Sequence, residues 1–126
     1  MKQIHTEQAP AALGPYSQAI VAGDMVYVSG QLAIVPETGE LVQGTITEQT
    51  ARIAQNLSAI LEEAGSGLAN VVKSTCFMAD LADFAEFNAE YAKHFTSNPA
   101  RECVQVAALP KAAQLEVSVI ATLNEE

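Results

Sequence analysis

Two arginines serve the whole chain, Arg52 and Arg101, so a site for a small anion has few candidates. Arg101 follows Asn98-Pro99-Ala100 at the mouth of an apolar segment, and proline stiffens the stretch that presents its guanidinium. A planar fork of donors takes a carboxylate through two parallel hydrogen bonds, best where water is excluded. On an open surface the same arginine would instead pair with Glu102 or another acid. Glu116 interrupts an otherwise apolar run. Near a bound molecule it could orient or deprotonate water; otherwise it is an exposed strand residue. Tyr16, in Gly14-Pro15-Tyr16-Ser17-Gln18, is either an aromatic wall with a hydroxyl or a partly buried structural tyrosine. Ser29-Gly30-Gln31 ends an apolar strand, and Gly30 either lets a ligand approach the backbone or simply marks a turn.

Other chemistries find no residues to carry them. Cys103, two positions after Arg101, faces the same way on a strand, but no histidine is placed to activate it. It reads as a wall of a site, and Cys76, in an apolar run, as core. His5 and His94 read as solvated surface residues. Neither histidine stands in zinc-like spacing with the cysteines, so no metal site is expected. No GxSxG elbow and no GxxxxGK phosphate loop occurs.

The 15 acids and 6 bases leave a net charge of −9, which opposes phosphate backbones and anionic lipid. An anionic metabolite would be repelled too, unless a local cation overcomes the field. Neither nucleic acid nor membrane is an expected partner. The 126 residues suffice for one domain and one core, spanning residues 1–126. No apolar run reaches the roughly 20 residues that span a bilayer, and MKQIHTEQAP does not resemble a secretory signal. A cytoplasmic protein is expected.

The elements that must position these residues alternate in type. Ala19 to about Ile34 reads as strand, with a turn at Gly23-Asp24, and Pro36 to Gly44 as a loop. Thr45 and Glu48 form a capping box ahead of a helix. Its apolar stripe is Ile53, Leu57, Ile60, Leu61 and Ala64, stopped by Gly65 and Gly67. Val71 to Ala79 is a buried strand. A second helix starts near Asp80, carries Phe84, Phe87, Tyr91 and Phe95, and ends before Pro99. Core packing accounts for most of that stripe, with Phe87 and Asn88 singled out as possible exceptions. Arg101 to Leu109 and Gln114 to Leu123 close the domain as strands. Glu116, Ser118 and Ile120 share one face of the last, and Leu115, Val117 and Val119 the other. A sheet with helices on one side and a subunit interface on the other satisfies this pattern.

Taken together, these segments resemble the reactive-intermediate deaminase (Rid, or YjgF-type) family along essentially the whole chain. The resemblance rests on Gly14-Pro15-Tyr16-Ser17-Gln18-Ala19, Val28-Ser29-Gly30-Gln31, Asn56-Leu57, Ala64-Gly65, Asp83-Phe84 and Phe87-Asn88. Pro99-Ala100-Arg101, Cys103-Val104, Leu109-Pro110 and Leu115-Glu116-Val117 complete it. It implies an α+β, chorismate-mutase-like fold: a mixed sheet with two helices on one face, assembled as a homotrimeric barrel with sites at the subunit interfaces. It also implies hydrolysis of 2-imino or enamino acids, such as 2-iminobutanoate and 2-iminopropanoate, to 2-keto acids and ammonia, with no cofactor. Arg101 would hold the substrate carboxylate, with Gly30 and Cys103 in contact. Glu116 would position or activate water, Tyr16 would line the pocket, Ser29 would border it, and Phe87 and Asn88 would lie near it.

Two departures from the family pattern bear on the pocket: Ser118 stands where a second glutamate is usual, and Asn98, on a short connection, replaces an aromatic residue. The alternative to an imine deaminase is a non-catalytic trimer that binds small carboxylates, or regulates, through the same Arg101 clamp. Glu116 separates the two readings, since binding alone needs no base. A ribonuclease or translation inhibitor is disfavoured by the acidic charge and the lack of a basic patch.

Overall fold

The computed structural model describes residues 1–124, built on a six-stranded sheet in the order β1-β2-β3-β8-β6-β7. These are β1 (Lys2–Ile4), β2 (Ala19–Ala22), β3 (Met25–Gln31), β6 (Val71–Met78), β7 (Ala100–Gln105) and β8 (Leu115–Thr122). Only β6 and β7 run parallel, so the sheet is mixed. A parallel pair needs a crossover, and α2 (Phe84–His94) provides it. The other helix, α1 (Ile46–Glu63), packs on the same side, against α2, β3 and β8. This is the α+β architecture expected, with both helices on one face.

Local chemistry sets the elements. Thr45 accepts from the Glu48 amide at 3.1 Å, and the Glu48 carboxylate accepts from the Thr45 amide at 3.1 Å, which closes the capping box. The Thr47 amide and hydroxyl donate to Glu86 of α2, tying the start of one helix to the other. Gly65, at φ +86°, turns the chain away after α1. Ile53, Leu57, Ile60 and Leu61 form its buried stripe. Along β8 the side chains alternate: Leu115, Val117, Val119 and Ala121 are buried beneath the helices, while Glu116, Ser118 and Ile120 lie half-buried on the uncovered face.

Several local readings change. Lys2–Ile4, not foreseen as a strand, pairs with β2. The segment expected to be all loop contains a small hairpin of β4 (Ile34–Val35) and β5 (Glu40–Leu41). Asp80 caps a short 3-10 turn at Leu81–Asp83, accepting from the Ala82 amide at 2.8 Å, and the α-helix begins only at Phe84. β7 ends at Gln105 rather than Leu109. Among the described residues, no helix is long and apolar enough to cross a membrane.

Asn56 joins helix to sheet. It is 0% exposed, and its amide nitrogen donates to the carbonyls of Leu32 (3.2 Å) and Ile34 (2.9 Å). Its oxygen accepts from Nε and Nη2 of Arg52, so all its capacity is used. Asn56→Leu is expected to lower stability by about 2–4 kcal/mol, because it strands two inward carbonyls without donors. Urea unfolding checks this: the midpoint should fall with an unchanged slope, whereas an unmoved midpoint would contradict the account.

Candidate functional site

The uncovered face of the sheet holds a cavity of about 490 Å³, lined among others by Tyr16, Ser29, Gly30 and Glu116, with Leu13 and Lys111. Glu116, half-buried on β8, lays its carboxylate across the bare α-carbon of Gly30. A Cβ at that position would come within 2.7 Å of Oε2 and 2.8 Å of Cδ. The glycine therefore leaves the room that the Glu116 carboxylate occupies, and any larger residue would displace that side chain. The Ser29 hydroxyl donates to the Ser17 carbonyl at 2.6 Å, which fixes the segment carrying Tyr16. Tyr16 is 55% exposed, so it is an outer wall and not a structural core residue.

Gln18 holds the remaining wall in place. Its side chain is buried; it accepts from the Thr6 amide (2.7 Å) and donates to the carbonyls of Thr6 (3.0 Å) and Pro10 (2.8 Å). The arm bearing Leu13 is thereby stapled beside the cavity. Opposite, the turn Pro110–Ala112 carries two consecutive non-glycine residues in the left-handed region, Lys111 (φ 59°) and Ala112 (φ 54°). Such conformations cost on the order of 1–3 kcal/mol each and persist only where their surroundings impose them. Sequence reasoning passed over both Gln18 and Lys111. Leu109-Pro110-Lys111 was visible as a connection, but nothing in its letters signals a left-handed lysine.

Arg101 belongs to a second cluster. Asn98, in the left-handed region at φ 50°, ends the excursion from α2, and Pro99 then leads directly into β7. The Arg101 guanidinium donates through Nη1 to Asn88 Oδ1 at 2.8 Å. It lies 4.7 Å from the ring centroid of Tyr91 and 5.5 Å from that of Phe84, a stacked setting that suits a guanidinium. Glu102, the expected surface partner, is occupied elsewhere: it accepts from Thr75 at 2.8 Å and pairs with Lys73 at 3.2 Å. These contacts hold its carboxyl below the ordinary range. Cys103 follows Arg101 on the same face, in register with Cys76.

The two clusters lie on opposite faces of the sheet. Arg101 pairs in register with Ser74, whose hydroxyl is buried 2.6 Å from that of Tyr91, so both look towards α2. Glu116 pairs with Phe77, which pairs with Val104 on the uncovered side. Tyr16, Ser29, Gly30 and Glu116 are brought together, and Arg101, Asn88 and Cys103 form a separate group. Phe87 joins neither cavity nor rim. It is 1% exposed, with its ring centroid 5.5 Å from that of Tyr91. His94, expected to be freely solvated, is hydrogen-bonded to Glu90 at 2.7 Å.

Burial decides the protonation states. The Glu116 carboxyl is pushed above its ordinary value near 4.5 by desolvation, which makes the ionised form a better base. Burial also raises the Cys103 thiol, although nearby Arg101 opposes it, and drives Cys76 to about 12. Both cysteines therefore stay protonated at neutral pH, which fits a wall and not a nucleophile. Among the described residues no cluster of histidines, cysteines and acids could hold a metal ion.

The family model described as "Endoribonuclease L-PSP" matches residues 6–123. A "RutC family protein" of Pyrococcus abyssi is 52% identical over 119 residues, covering 94% of each chain. "Reactive Intermediate Deaminase A, chloroplastic" of Arabidopsis thaliana is 50% identical over 121 residues, covering 95% of this chain and 65% of that protein. Among solved structures, E. coli TdcF with bound serine is 40% identical and superposes with a TM-score of 0.93, covering 98% of this chain and 100% of the other.

The stacking of Glu116 on Gly30 generates a double test. A carboxyl whose folded-state pKa is raised contributes stability that is present below its ordinary value and lost as pH rises through the folded value. Glu116→Gln cannot ionise, so its thermal midpoint should gain on wild type as pH rises above the ordinary carboxyl value near 4.5. In a Gly30→Ala background that pH-dependent gain should vanish, because the new methyl expels the carboxylate into solvent. A gain that survives Gly30→Ala would refute the packing argument.

Proposed function

The chain belongs to the Endoribonuclease L-PSP family, the Rid or YjgF-type family that its motifs resemble, and we propose that it hydrolyses 2-imino acids and their enamine tautomers to 2-keto acids and ammonia. The observation that carries this reading is the desolvated Glu116 carboxylate, set over Gly30 in a cavity walled by Tyr16. A cavity that merely bound a carboxylate would gain nothing from an acid at its centre. Two relatives add support: one is named a reactive intermediate deaminase, and another was crystallised with serine, a small amino acid.

The active assembly is a homotrimer with a chorismate-mutase-like arrangement, in which Arg101 of one subunit reaches the Glu116 cavity of its neighbour. The separation of Arg101 and Glu116 onto opposite faces supports this, since a single chain does not join them. Arg101 would bind the substrate carboxylate and thereby fix the imine carbon, with Cys103 bordering the anion. Glu116 would accept a proton from water as its oxygen adds to that carbon, forming a carbinolamine. With the imine protonated on nitrogen this carbinolamine is neutral. The proton then passes from Glu116 to the nitrogen, and the C–N bond breaks as the hydroxyl oxygen forms the carbonyl. The hydroxyl proton leaves with the ammonia as ammonium. Positioning a trapped water contributes much of the acceleration.

The assay generates 2-iminobutanoate in situ with an amino-acid oxidase and follows ammonia release. Wild type should accelerate hydrolysis, Arg101→Ala should abolish the effect, and Glu116→Ala should lose roughly 10²–10⁴ in rate. Activity should fall as pH drops through the raised pKa of Glu116, above the ordinary carboxyl range. Co-expressing the two inactive variants should restore part of the activity, because mixed trimers contain an interface with both groups intact. If no activity returns, the shared site is wrong. If wild type is inactive yet binds 2-oxobutanoate, the carboxylate-binding trimer replaces the enzyme.

A further inference from the structure

We infer that Lys111 is a specificity-determining residue of the Glu116 cavity: a cation with no ion pair among the described residues, held at its wall by a left-handed turn, that draws anionic substrates in. The inference rests on the imine-hydrolase reading and adds a residue which that reading does not use.

The chain has 6 basic residues against 15 acids. Lys73 is committed to Glu102 and Lys93 to Glu90, Arg52 is bonded to Asn56, and Lys2 stands on the edge strand away from the cavity lining. Arg101, stacked on aromatic rings, is the group assigned above to the substrate carboxylate. Lys111 is exposed and lines the same cavity as Glu116, yet no ion pair joins the two or ties Lys111 to any other described acid. Its charge is therefore available.

The backbone argues in the same direction. Lys111 and Ala112 both stand in the left-handed region, within a turn closed by the Ala113 amide on the Pro110 carbonyl at 3.1 Å. Glycine would adopt this conformation freely, so the turn alone does not call for a lysine. What the lysine adds is a positive charge beside a cavity whose other charged group is negative.

A 2-imino acid carries a carboxylate and approaches a chain of net charge −9. Without a cation near the entrance that field lowers its local concentration. A charge at the wall attracts the substrate and the transition state alike, so it lowers KM and leaves kcat alone. Because Lys111 is exposed, the attraction should be screened by salt.

Lys111→Gln should raise KM for 2-iminobutanoate about two- to fivefold, as expected for an exposed charge pair, with kcat within about twofold of wild type. Lys111→Arg should restore KM. Lys111→Gly, which relaxes the turn but also removes the charge, should match Lys111→Gln. Raising salt to about 0.5 M should increase the wild-type KM towards that of the neutral variants. An unchanged KM in Lys111→Gln, or a fall confined to kcat, overturns the inference while the hydrolase reading stands. If wild type does not hydrolyse imines, the hydrolase reading fails and the inference is judged by calorimetry with 2-oxobutanoate. Weaker binding by Lys111→Gln supports it there, and equal binding, or none by either protein, overturns it.

Discussion

Helices cover one face of the sheet and leave the other bare, and the period-two alternation of every strand then assigns each polar side chain a side. On β8 this rule buries Leu115, Val117 and Val119 and turns Glu116 outward. On β7 it sends Arg101 and Cys103 towards α2, and Glu102 and Val104 away. Arg101 and Glu116 thus cannot drift together within one subunit without a register slip, which would invert the core as well. Tyr27 and Val104 on the bare side remain exposed and add apolar area to it.

Within the cavity, placement relies on rigid supports. Glu116 sits on a central strand, paired on both sides, and the missing side chain of Gly30 gives its carboxylate room. Raising the pKa of that carboxyl weakens the folded state at neutral pH, and the surrounding sheet absorbs the loss. The strained turn at Lys111 and the buried glutamate are both local penalties, and both fall on the same cavity. Such penalties collect where geometry serves a purpose other than stability.

Much of this was legible from the residues alone. The capping box of Thr45 and Glu48, the stop at Gly65 and the common face of Arg101 and Cys103 all follow from local rules. So did the outward turn of Glu116. An aromatic stripe at helical spacing does not say which rings pair, and only tertiary packing sets Phe87 against Tyr91. That Gly30 accommodates Glu116 could not be read, since β3 and β8 meet only in the folded sheet, more than eighty positions apart along the chain. Strand alternation fixed faces within each strand, but only the pairing order sets Arg101 and Glu116 on opposite sides. The left-handed lysine, likewise, is a property of its surroundings.

The last strand in chain order, β8, lies in the middle of the sheet, between β3 and β6. Until residues 115–122 arrive, no strand joins β3 to β6, and the two parts of the sheet are linked through α1, which packs against β3 and α2. Pairings at such sequence separation close large loops and slow folding. The edges of β3 and β6 therefore stay unpaired until β8 inserts between them, and an open strand edge of this kind is a template for wrong pairing.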